Sequence, residues 1–103
     1  MPSIQELEAL TKQFPDKAFP RYGLAMEYKK ANRFEEAIRE FQEAMRLDPN
    51  YVAAWHHCGM AYEQWGRIED AKRVYREGMD VARRVGNGHA LSEITAALQA
   101  IGG

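Results

Sequence analysis

His56-His57-Cys58 is the run whose residue types could do chemistry, since imidazoles and thiols build metal sites and thiolate nucleophiles. The spacing argues against both. Adjacent residues of a helix point about 100° apart, whereas chelation from one helix needs ligands three or four residues apart. His89 is remote in sequence, and no acid partner is evident for a Cys-His pair. The chain has no serine elbow or phosphate loop, and Gly86-Asn87-Gly88 is more simply a helix stop. The expectation is no catalysis, no cofactor and no metal. A second candidate is the basic set Lys72, Arg73, Arg76, Arg83 and Arg84. Glu69, Asp70, Glu77 and Asp80 are interleaved with it, and Glu69 with Arg73 and Asp80 with Arg84 have the spacing of helical ion pairs. A solvated helix face explains this pattern better than a nucleic-acid surface.

Composition points the same way. The 14 Lys and Arg nearly cancel the 15 Asp and Glu, and a net charge of -1 gives no general attraction to nucleic acid or an anionic membrane. With 103 residues the chain fits one small domain, and 46% hydrophobic residues is too apolar for a disordered one. The single Cys58 cannot close an internal disulfide. No basic leader with an apolar core, spanning run or glycosylation sequon is seen, so a cytoplasmic protein is expected.

The elements that must position these residues are all helical by pattern. Ile4, Leu7, Leu10 and Phe14 form one stripe, ended by Pro15-Asp16, whose carboxylate can cap the next helix. Pro20 belongs in the first turn of that second helix, which runs to about Lys30, because a proline further in would break it. Asn32 lies at a turn. A third stripe occupies Glu35 to Leu47 and stops at Asp48-Pro49-Asn50, where Asp48 or Asn50 can cap a fourth helix from Tyr51 to Trp65. Gly66 permits a left-handed turn, Ile68 to Val85 comes next as a longer helix, and His89 to Ile101 is the last. Six helices and no strand are predicted.

A shift of thirty-four residues lays Met26 on Met60, Tyr28 on Tyr62, Arg33 on Arg67 and Glu35 on Glu69. Ala37, Arg39, Glu43 and Met45 then fall on Ala71, Arg73, Glu77 and Met79. With Trp55, Gly59, Tyr62, Ala71 and Tyr75 in one unit, and Leu24, Ala25, Tyr28, Ala37, Phe41, Ala44 and Pro49 in the other, the sequence resembles the tetratricopeptide repeat. The units are 18–51 and 52–85, with 1–17 as an N-terminal capping helix and 86–103 as a C-terminal one. Small residues at Ala25, Gly59, Ala37 and Ala71 let helices approach closely, and neighbours must stack because one unit cannot bury its apolar face. The fold class expected is therefore all-α, an antiparallel helix-pair repeat stack, or α-solenoid. Arg21 stands where the second unit has Trp55, and Arg83 replaces the terminal proline, which leaves the docking of the last helix open.

The resemblance implies a non-catalytic module that binds a protein or peptide segment in a concave groove lined by the first helix of each unit. By that register the groove carries Phe19, Tyr22, Met26, Lys29, Lys30, His56, Met60 and Glu63, with His57 and Gln64 beside them; partial packing against neighbouring helices is the alternative for these residues. Methionine and aromatic surface suit an apolar peptide side chain, with Lys29, Lys30 or Glu63 steering charge. The lysine and asparagine clamp by which some family members grip a C-terminal carboxylate is missing, since Tyr22, Met26, His57 and Leu91 stand at its positions. Cys58 falls on the core side. The last helix has Glu93 as its only charge between Ala90 and Ile101, and its stripe of Leu91, Ile94, Leu98 and Ile101, broadened by Ala96, Ala97 and Ala100, offers either a tolerated cap or a contact for a second copy of the chain.

Overall fold

The computed structural model describes residues 2–103, and among these the chain forms six helices and no strand. They are α1 (Ile4–Gln13), α2 (Ala18–Lys30), α3 (Phe34–Leu47), α4 (Val52–Gln64), α5 (Ile68–Val85) and α6 (Gly88–Ala100). Each packs on its sequence neighbours, and α4 also touches α2 and α6, so α2, α4 and α6 lie side by side as one layer with α3 and α5 behind. The architecture is a helical-repeat stack.

Helix ends obey two local rules. α1 and α3 stop ahead of Pro15 and Pro49. The other four end in a left-handed residue, at Asn32 (φ 61), Gly66 (φ 83), Gly86 (φ 74) and Gly102 (φ 87). In each case the next N–H returns five residues, from Arg33 to Tyr28, Arg67 to Tyr62, Asn87 to Ala82 and Gly103 to Leu98, at 2.8–3.0 Å. This satisfies carbonyls the helix leaves open. Because α5 ends by glycine and not proline it runs to 18 residues, against 14 in α3. Its added turn is tied back: Arg84 Nη2 donates to the Pro49 carbonyl at 2.8 Å and to Asn50 Oδ1 at 3.2 Å.

Several local expectations need correction. Asp16 does not cap α2; Lys17 holds the cap position without a side-chain bond. Pro20, third in the helix, lacks one of the N–H groups such a cap would bind. Asp48 Oδ1 is taken by the Asn50 N–H at 3.0 Å, so neither residue caps α4. Asn87 in contrast starts α6, accepting from the Ala90 N–H at 3.0 Å. The ion pairs on α5 shift register as well. Glu69 pairs with Lys72 and Asp80 with Arg83, while Arg73 bridges Asp70 and Glu77. Shorter i,i+3 reaches replace two expected i,i+4 pairs, and Arg84 is drawn off to the α3–α4 connection.

The core runs along the seams, through Leu24, Ala25, Ala37, Phe41, Ala44, Cys58, Ala61, Ala71, Tyr75 and Ile94. Gly59 lies directly against the Tyr75 ring, where even a methyl group would clash. A Cβ on Gly78 would stand 2.9 Å from Trp55 Cβ and 3.3 Å from Ile94 Cδ1. Those two glycines set how closely α4 and α6 approach α5.

Candidate functional site

The layer of α2, α4 and α6 carries the candidate groove residues, and each holds a different degree of freedom. Tyr22 is half-buried in an aromatic cluster, its ring centroid 5.0 Å from Tyr51, 5.9 Å from His57 and 6.0 Å from Phe41. Met26 and Met60 pack against the core with part of their surface free. Phe19 is 54% exposed and sits 6.1 Å from Phe14, forming an aromatic corner at the α1–α2 end. Lys30 is exposed and lies 3.8 Å from Glu27. Glu63 accepts from the Tyr75 hydroxyl at 2.8 Å, so one groove carboxylate is held by a core tyrosine.

The His56-His57-Cys58 run divides. Cys58 is 1% exposed in the α4–α5 seam, and burial pushes its thiol up to about 12, which leaves it protonated and unreactive. The imidazoles turn instead toward α2 and α6. Their ring centroids lie 5.3 Å apart, and His57 Nδ1 is 3.3 Å from Lys29 Nζ. Burial first, then the Lys29 and His56 charges, hold His57 down at about 4, and burial lowers His56 as well. Both rings are neutral at neutral pH, so His57 Nδ1 can accept from the Lys29 ammonium.

Two hollows flank this pair. One of about 430 Å³ lies between α4 and α6, lined by His56, His57, Met60, Asn87, His89 and Glu93 among others. The second, of about 330 Å³, is bounded by Met26, Glu27, Lys29, Lys30, Asn32 and Gln64. A larger and more open hollow of about 680 Å³ at the α1–α2 end shares only Glu27 and Lys30 with these. Periodicity missed the Lys29–His57 contact and the part of Asn32, His89 and Glu93 in the lining. The thirty-four-residue register could place single residues on a face, but it says nothing of pairs formed between neighbouring helices.

The last helix also places its residues differently from one of the two expectations. Ile94 is 0% and Leu98 6% exposed, packed within the chain, with Leu91 and Ile101 half-buried. Ile94 and Leu98 are spent on docking within the chain and are not free contacts for a second copy, while Leu91 and Ile101 keep part of their surface. What α6 leaves outward is Ser92, Glu93, Ala96, Gln99 and Ala100.

Six helices stacked in antiparallel pairs, with small-residue seams repeated at thirty-four residues, define a helical-repeat module. Family models described as TPR repeat and Tetratricopeptide repeat match residues 25–66 and 52–84. The tetratricopeptide repeat domain protein from Salinibacter ruber is 36% identical in its crystal structure, covers 82% of this chain and 94% of its own, and has a TM-score of 0.74. The chain belongs to the tetratricopeptide repeat family. Its fold is shared at 22% identity with a structure described as the TPR2B-domain:pHsp70-complex of yeast Sti1, over 95% of this chain and 78% of that one, with a TM-score of 0.90. A curated relative, the tetratricopeptide repeat domain-containing protein PYG7, chloroplastic, of Arabidopsis thaliana, is 32% identical over 53% of this chain. The chain spans 18% of that relative's length.

Proposed function

We propose that the α2–α4–α6 layer binds an extended segment of another protein without catalysing a reaction on it, in a cytoplasmic setting. The observation that carries this reading is the continuity of partly free Tyr22, Met26, His56 and Met60 across α2 and α4, flanked by two hollows. Methionine and flat aromatic surface adapt to apolar side chains, and a groove of parallel helices offers them in a row. The related fold in yeast Sti1 is described in complex with pHsp70, which is consistent with a peptide-binding use of the same architecture.

Selection of peptides from a random displayed library, with amide chemical-shift mapping of the binders, tests the proposal. Binders should perturb α2 and α4, and Met60→Glu should abolish their binding while the helical circular dichroism is kept. A library that yields no binders, or binders that map to α3 and α5 and tolerate Met60→Glu and Met26→Glu, overturns it.

A further inference from the structure

Of all the Lys and Arg residues, only Arg21, Lys29 and Lys72 are half-buried, and the others are exposed. Arg21 meets Glu40 at 3.0 Å and Lys72 meets Glu69 at 3.4 Å. Lys29 has no carboxylate within 4.0 Å among the described residues, and its one side-chain partner is the neutral His57. A half-buried ammonium without a counter-charge is costly, and burial accordingly lowers the Lys29 pKa. Three acids of the same layer are engaged elsewhere: Glu27 by Lys30, Glu63 by Tyr75 and Glu93 by His89 at 3.1 Å. An ammonium carries three donors and His57 takes one, so two remain toward the hollow that Asn32 and Gln64 help to line.

Resting on the groove reading of the α2–α4–α6 layer, we propose that Lys29 selects a partner segment carrying an aspartate or glutamate side chain, whose carboxylate becomes the missing counter-ion of the Lys29 ammonium. The hollows open on both sides of the Lys29–His57 contact, so a bound segment runs past Lys29 and presents a side chain to it, not a chain end. His57 acts as a positioning residue. Its Nδ1 holds the ammonium at the middle of the layer, in the absence of a competing acid.

The same displayed library tests this with the whole chain as bait. Selected peptides should share one acidic position, and changing that Glu to Gln in a synthetic peptide should weaken binding about tenfold or more, as expected for a charge-assisted contact. Lys29→Met should reduce the Glu and Gln peptides to one common affinity, and Lys29→Arg should restore a preference for Glu. Amidating the peptide C-terminus should change nothing. The inference is overturned if no acidic position emerges, if the Glu preference survives Lys29→Met, if only a phosphorylated residue is bound, or if amidation removes binding. Should that happen while Met60→Glu still abolishes capture, the groove reading stands and only the acid selection fails; if Met60→Glu is without effect, the groove reading fails with it.

Discussion

The two helix pairs, α2 with α3 and α4 with α5, solve one packing problem by different chemistry. In the second pair Gly59 lets the Tyr75 ring lie against the α4 backbone, and Trp55 covers Gly78. In the first, the equivalent positions are the fully buried Ala25 and Phe41, and Arg21, in the place of Trp55, reaches Glu40 at 3.0 Å. The Arg21 side chain and the Glu40 side chain keep only 27% and 19% of their surface, and Arg21 Nε is buried without a partner. The same repeat thus tolerates an aromatic lid in one copy and a half-buried ion pair in the next. A seam is specified by the volume that fills it, and polarity can vary where a partner is at hand.

That contrast can be broken from its tightest point. Gly59→Ala should cost about 1–3 kcal/mol, read as a lower denaturant midpoint, because the new methyl meets the Tyr75 ring. Tyr75→Phe removes the hydroxyl that holds the ring toward Glu63, so Gly59→Ala should cost less in that background, approaching the Ala25–Phe41 arrangement of the first pair. Equal costs in both backgrounds would mean the hydroxyl does not set the ring's position. A smaller loss, about 1–2 kcal/mol, is expected for Glu40→Ala, which strands a half-buried guanidinium, whereas Glu35→Ala on the exposed face of the same helix should be close to neutral.

The mildest effect separates the pairs by pH. His57 stands where the first pair has Gly23, and its pKa falls from 6.5 to about 4 on folding. An imidazole kept neutral in the fold contributes stability that is fully present above 6.5 and is lost as pH falls from 6.5 toward 4, because the unfolded chain binds the proton first. Thermal unfolding should therefore show Tm declining through that window, and His57→Gln should flatten the slope. Since burial also lowers His56, a remaining shallower decline is expected in His57→Gln and should shrink further with His56→Gln added, leaving at the acid end of the window the loss from Glu36 and Glu43, which Arg33 and Arg46 hold below the usual carboxylate range.

Helix number, order and most boundaries were legible because prolines, left-handed glycines and apolar stripes act within a few residues. Pro49 stops α3 and Gly86 lets α5 run on for reasons visible in the local chain. That Gly59 brings α4 close to α5 could be read from the repeat, but the spacing set it against the small Ala71, whereas it lies on the Tyr75 ring. Pairings were less legible. Asp48 is drawn into a turn with Asn50, Arg84 leaves Asp80 for Pro49 and Asn50, and Lys29 finds His57 across twenty-eight residues. In each case a polar group chose among partners of similar strength, and tertiary placement settled a choice that spacing leaves open. The stripe of α6 shows the same limit: Ile94 and Leu98 form a face by periodicity, but only docking on α5 decides that the face turns inward.

Arg84 gives the stack a property that neither helix pair has by itself. The α3–α4 connection joins one helix pair to the next. The longer α5 reaches back to it, where Arg84 donates to the Pro49 carbonyl and to Asn50. With Arg83 in the place of a terminal proline, α5 continues to the Gly86 stop, and the added turn carries the Arg84 guanidinium to the connection between the two pairs.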